Sequence, residues 1–163
     1  MTAKEYLKQY RYATQKVARL QEEYDKELEL IDSVRSSANV DGMPRAFNIN
    51  RSVEDRAIRL ALRAAKLKEA ELDAIAIRQE VFNVVIDIPG AKGDILYYRY
   101  IRLVDKWDDI CKMINYEWAQ THRLHAEALA DAEIIIKQRG LFKHETNEEV
   151  ETSTDEEAKH DTQ

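Results

Sequence analysis

Residues 107–125 read WDDICKMINYEWAQTHRLH, and the way this stretch folds decides what kind of protein the chain is. Trp107, Ile110, Cys111 and Ile114 fall on one face of a short helix at steps of three, one and three. Asn115 then suits the left-handed turn that ends such a helix, because its short polar side chain tolerates positive φ. A further helix is predicted from near Glu117 to about Arg139, with Thr121, Leu124, Ala128, Ala132 and Ile135 on its inner face. A short helix, a tight turn and a second amphipathic helix form the helix-turn-helix pattern.

Working outward, glycine and proline divide the chain cleanly. The four glycines and two prolines fall at 42 and 44, at 89, 90 and 93, and at 140. The intervening stretches are rich in Ala, Leu, Glu, Lys and Arg, which favour helix. The expected class is therefore all-α: a long antiparallel helical hairpin over 1–90, a helix-turn-helix unit over 94–139 and an acidic tail over 143–163 that is expected to be disordered.

In the hairpin, Tyr10, Ala13, Val17, Leu20, Tyr24, Leu28, Ile31 and Val34 step by three or four, predicting a helix from about Ala3 to Val34. A loop follows, with turn chemistry at Asp41-Gly42 and Pro44. Ser52 can cap the second helix, and Asp55 is placed to reach back to the cap. Val53, Ala57, Leu60, Ala64, Leu67, Ala74, Val81, Val85 and Ile88 continue a near-heptad stripe that Glu71 and Arg78 interrupt. Pro89-Gly90 ends it. A lone hairpin leaves Ile58, Leu62, Leu72 and Ile75 uncovered, which points to packing on the third block or to a homodimer through the hairpin.

In the third block, Asp94 is the predicted N-cap of ILYYRYIRLV, and Asp105 of KWDDICKMI, with Asp108 as the capping-box acid. Charge is distributed unevenly. Residues 140–163 hold two basic residues against eight acids and so carry the whole net charge of −6. From Tyr97 to Arg139 seven basic residues meet seven acids. Phosphate neutralisation dominates non-specific DNA affinity, so a module this neutral is expected to act with a partner or as a multimer.

If the second helix enters a major groove, Glu117, Trp118, Gln120 and Arg123 are its exposed positions, and Thr121 and His122 on the same turns join the candidate contacts. Gln pairs with adenine and Arg with guanine in bidentate fashion. Arg99, Arg102, Lys106 and Lys112 could then hold phosphates, and His122 could face them too.

Other chemistries find little support. His122 and His125 share a helix face, but no further ligand is placed to complete a metal site, and no cofactor is expected. Asp108 and Asp109 point about 100° apart on a helix rather than converging. There is no phosphate-binding glycine loop or nucleophile elbow, so no enzyme is expected. Cys111 is the only cysteine, which excludes an internal disulfide, and it is predicted to be buried. No apolar run nears the roughly 20 residues of a membrane span. A cytoplasmic location, with no membrane contact, is the simplest expectation.

The segments YYRYI, WDDICKMINY and RLHAEAL together resemble the C-terminal part of short phage and prophage proteins of Gram-positive bacteria. That part is similar to region 4 of bacterial sigma factors, which binds promoter DNA, and to phage late-transcription regulators of the ArpU and RinA type. The resemblance extends upstream through DGMPRA and SVEDRAIRLA. It implies a transcriptional regulator that binds double-stranded promoter DNA together with host RNA polymerase. On this resemblance Trp107, Ile110, Ile114, Tyr116, Leu124, Ala128 and Leu129 are core or turn positions, and 117–123 is the reading surface. His125 becomes a packing residue. The chain departs from the pattern at LVDKW, which is one residue longer, and at Glu117, where relatives carry a serine cap. The alternative reading is a protein-interaction module that works through the hairpin without DNA.

Overall fold

The computed structural model describes residues 1–38 and 48–141 and contains only helices among them. The expected turn at Asp41-Gly42 and Pro44 and the acidic tail lie outside the described residues. Helix α1 spans Ala3–Ala38 and α2 spans Asn48–Ile86. At about 1.5 Å per residue these are rods of roughly 50–60 Å. They run antiparallel: Arg56 donates to the Leu30 carbonyl, Arg59 reaches Glu27, and Arg63 reaches Glu23. Helix α2 starts ahead of Ser52, so Ser52 is not its cap.

The α2 seam is less broken than the heptad pattern implied. Glu71 and Arg78 are exposed, while Ala70, Ala74 and Val81 are buried and Ile77 half-buried along the face that meets α1. On α1 the stripe deviates at one point. Leu28 is 38% exposed, and its neighbour Glu27 is 8% exposed instead. Two guanidinium groups, Arg59 at 3.4 Å and Arg63 at 3.7 Å, compensate that carboxylate for lost water.

The third block begins at α3, Ala91–Leu96. Its N-cap is Gly90, with φ 71° and ψ −156°, a region open almost only to glycine. Asp94 lies inside the helix, so the predicted cap is displaced. Gly93 is needed for a different reason: a Cβ there would sit 2.1 Å from the Ile88 carbonyl oxygen. The chain therefore turns back tightly onto the end of α2. Lys92 then ties α3 to the last helix through Asp131 at 2.9 Å and Glu127 at 3.4 Å.

Residues Tyr97–Ile101 continue α3 as a π-helical turn, in which Arg102 N–H bonds the Tyr97 carbonyl five residues back at 2.9 Å. It closes on Leu103 at φ 55°, and Val104 N–H donates to Tyr98 O at 3.0 Å. Helix α4 spans Trp107–Ile114 and α5 spans Trp118–Gln138. Lys106 caps α4 without a side-chain bond; Asp105 is drawn away to an ion pair with Arg11 of α1. Gly140, at φ 62°, closes α5 as Leu141 N–H bonds Ile136 O at 3.0 Å.

One core joins the hairpin to the C-terminal block. Ala3, Tyr6 and Leu7 of α1 and Val81, Val84, Val85 and Ile88 at the end of α2 pack with Leu96, Tyr100 and Ile101. Ala128, Ala132 and Ile136 of α5 complete it. The alanines on α5 let its backbone approach closely, and Arg139 pins its end to Asp87 and the Asn83 carbonyl. No described helix is long and apolar enough to cross a membrane.

Candidate nucleic-acid interface

The helix-turn-helix geometry rests on three residues. Asn115 adopts φ 56° and ψ 44°, and Tyr116 N–H then bonds the Cys111 carbonyl at 3.1 Å. This is the left-handed stop expected from the asparagine. Glu117 is extended at φ −69° and ψ 155°, and α5 starts directly after it. Its carbonyl receives the Thr121 N–H at 2.9 Å and the Thr121 hydroxyl at 3.0 Å. The Glu117 carboxylate itself makes no capping bond.

Thr121 is fully buried, and Cys111 Sγ lies 3.4 Å from its hydroxyl. It locks α4 against α5 and cannot meet a ligand, which removes it from the predicted reading surface. Cys111 is half-buried rather than buried.

His122 is displaced from the predicted surface too. Its ring lies between Trp118, at 4.0 Å between centroids, and Trp107, at 4.3 Å. Its Nε2 is buried with no hydrogen-bond partner among the described residues. His125 lies deeper, 4.9 Å from Trp107 and stacked on Tyr100 at 6.0 Å. The Tyr100 hydroxyl lies 3.2 Å from His125 Nε2, a bond that a neutral ring accepts. Burial, reinforced by Lys4, pulls the His125 pKa from 6.5 down to about 4. A column of rings thus runs from exposed Trp118 through His122 and Trp107 to His125 and Tyr100.

Arg99 closes the same column. Its guanidinium lies 4.9 Å above the Trp107 ring, and Nη1 donates to the carbonyls of Val104 at 2.9 Å and Asp105 at 2.6 Å. It holds the loop before α4 and is not free to grip a phosphate, so it too leaves the predicted contact set.

Six of the predicted contacts remain available. Gln120 is exposed, and Arg123 is 71% exposed with only a loose approach of 4.0 Å to Glu127. Arg102, Lys106 and Lys112 are exposed and form no ion pair among the described residues. Trp118 is 58% exposed, Met113 53% and Tyr116 38%. Asp108, in the first turn of α4, and Glu117 are exposed as well. Among the described residues no three His, Cys, Asp or Glu side chains converge on a metal-sized site.

The Trp118–His122 contact was legible as an i, i+4 pair on one helix. The insertion of Trp107 between the two histidines was not, because it depends on how α4 crosses α5. Comparison of the chain with protein-family models, with curated proteins and with solved structures gives no match.

Proposed function

We propose that this chain is a phage-encoded transcriptional regulator that presents the first turns of α5 to the major groove of promoter DNA, acting with host RNA polymerase in the bacterial cytoplasm. The observation that carries this reading is the left-handed Asn115 turn, which leads directly into a helix whose Gln120 and Arg123 project freely. Those two side chains have the donor and acceptor pattern to read adenine and guanine. Arg102, Lys106 and Lys112 supply cations for the flanking phosphates. The fully buried Thr121 gives the reading helix a fixed footing on α4.

The polymerase enters the proposal through electrostatics. Residues 97–139 are neutral overall, and Asp108 and Glu117 face solvent. Such a surface has little affinity for a polyanion by itself. The exposed Trp118, Met113 and Tyr116 instead offer apolar area to a protein that already holds the DNA.

Fluorescence anisotropy with DNA from upstream of phage late genes, with and without host RNA polymerase, tests this. Gln120→Ala and Arg123→Ala are expected to keep the fold and weaken specific binding roughly tenfold to a hundredfold each. Lys106→Ala should weaken all sequences alike and flatten the salt dependence by about one counterion. Wild-type protein that shows no sequence preference in either setting would refute the reading. A second reading, a protein-interaction module without DNA, is favoured by the uncovered apolar residues of α2.

A further inference from the structure

We infer that α2 pairs with α2 of a second copy of this chain, antiparallel, about a two-fold axis near Lys68 and Glu69. The inference rests on the reading of the hairpin as an association surface and is independent of DNA binding.

Two observations carry it. The first is an apolar stripe on the outer side of α2, with Leu62 and Ile75 at its two margins beside α1 and Glu69 within it. Ile58, Leu62, Leu72 and Ile75 are 60%, 60%, 60% and 65% exposed. Ala65 and Ala76, also exposed, lie between them on the same face. Scattered exposed aliphatic residues are ordinary, but four on one helical stripe with small residues between them form a packing surface. The inner face of α2 is already occupied by α1, so nothing in the hairpin can cover this one.

The second observation identifies the occupant. Residues 57–68 contain four basic residues and no acid, whereas 69–80 contain four acids and one base. Arg59 and Arg63 are engaged by Glu27 and Glu23 of α1. Lys66, Lys68, Glu69, Glu71 and Asp73 are exposed and make no ion pair among the described residues. A stripe that changes sign at its centre is its own complement under a two-fold axis. Isologous pairing requires that property and a foreign partner would have no need of it. Antiparallel pairing lays each basic half along the other's acidic half, with Lys66 close to the partner's Glu69 and Asp73. It also sets Ala65 beneath the partner's Leu72, a small residue against a large one. Parallel pairing would oppose like charges along the whole length, and the acidic half would repel nucleic acid.

The arrangement has a consequence for the C-terminal units. Counting about 1.5 Å per residue from the axis, the two Ile86 ends of α2 lie roughly 50 Å apart. The two helix-turn-helix units then sit beyond the spacing of adjacent turns of DNA, about 34 Å.

Sedimentation equilibrium of the full chain at micromolar concentration tests this, because it reads mass without DNA and so fails or succeeds separately from the DNA reading. The expected mass is twice 19.0 kDa. The double variant Lys66→Glu, Lys68→Glu should be monomeric, as should Glu69→Lys, Asp73→Lys. Mixing the two should restore a dimer, because one α2 is then acidic and the other basic. With Cys111→Ser as background, Ala65→Cys and Leu72→Cys proteins should form a mixed disulfide when oxidised together. A wild-type monomer at every concentration would overturn the inference, and would leave this face to a different protein. So would a dimer that persists in both charge-reversed variants, or cysteine variants that cross-link only with themselves.

Discussion

Two apolar sets on α2, one on its inner stripe and one off it, meet different fates. Near its C-terminus, Val81, Val84, Val85 and Ile88 are almost entirely buried. Earlier along the same helix, Ile58, Leu62, Leu72 and Ile75 remain mostly exposed although they are no less apolar. Part of the difference is the helix face, since Ile86 at the C-terminal end is also 64% exposed, and the rest is the third layer. At the C-terminal end α5 and the π-helical turn add a second wall to the two-helix hairpin, whereas the middle of the hairpin has only α1. A helix pair alone can bury one stripe on each member. Any second apolar stripe needs a further element, from the same chain or from another.

The sharpest way to break that comparison is to truncate one leucine in each setting, Leu7 of α1 in the shared core and Leu62 on the open part of α2. Leu7 is fully buried where α1, α2 and the C-terminal block meet. Leu7→Ala is expected to cost about 2–5 kcal/mol, since the site loses both transfer energy and packing. Chemical denaturation would read this as a lower midpoint at unchanged slope. A loss below about 1 kcal/mol would mean that the shared core is not the stabilising centre of the molecule.

Much of this division was legible in the sequence. The apolar periodicity of α1 and α2 marked the hairpin, and the uncovered positions Ile58, Leu62, Leu72 and Ile75 followed from the same wheel. The Asn115 turn was legible because its chemistry is local: one asparagine, one left-handed residue, one bond back to Cys111. The misassigned features all depend on distant partners. Asp105 has the composition of an N-cap but is taken by Arg11, far away in sequence. Asp94 loses its capping role because Gly93 must pack against the Ile88 carbonyl, which moves the start of α3 to Gly90. In the candidate site, Gln120 and Arg123 were correctly placed outside, because helix periodicity alone fixes them. Thr121 lies on the inner face that its spacing predicted, against Cys111, and so does not belong among the contacts, whereas His122 and Arg99 were misplaced, because Trp107 and the carbonyls of Val104 and Asp105 capture them. The π-helical turn has no clear signal in YYRYI, whose three tyrosines, arginine and isoleucine show no distinct polar and apolar face.

The intermediate test lies in the aromatic column between core and tip. His125 has an ordinary pKa of 6.5 and is held at about 4 by burial in the folded state. Between those values the unfolded chain binds a proton that the folded chain refuses. Stability from this residue is therefore complete above pH 6.5 and falls as pH drops toward about 4. His125→Leu should remove that part of the acid sensitivity, so melting temperature would decline less over the window than in the wild type. It also leaves the Tyr100 hydroxyl without its acceptor, so the variant is expected to be less stable at neutral pH. Parallel declines in the two proteins would mean that the ring is reached by water and titrates normally.

The smallest expected effect is the counterpart of the first. Leu62 keeps 60% of its surface exposed beside Arg59 and Lys66. Alanine is the better helix former, so Leu62→Ala loses little packing and no helix propensity. In dilute protein, below any association, its effect on stability is expected to stay within about 0.5 kcal/mol. The value of the test lies in its concentration dependence. If the stripe is covered by a second copy, the wild type gains stability with concentration by mass action, and the variant gains less. The two leucines would then differ in kind. Leu7 stabilises the folded chain at any concentration, whereas Leu62 contributes only where another chain is present to cover it. A loss of more than about 1 kcal/mol in dilute protein would instead mean that Leu62 is packed within the monomer, and the contrast between the two settings would disappear.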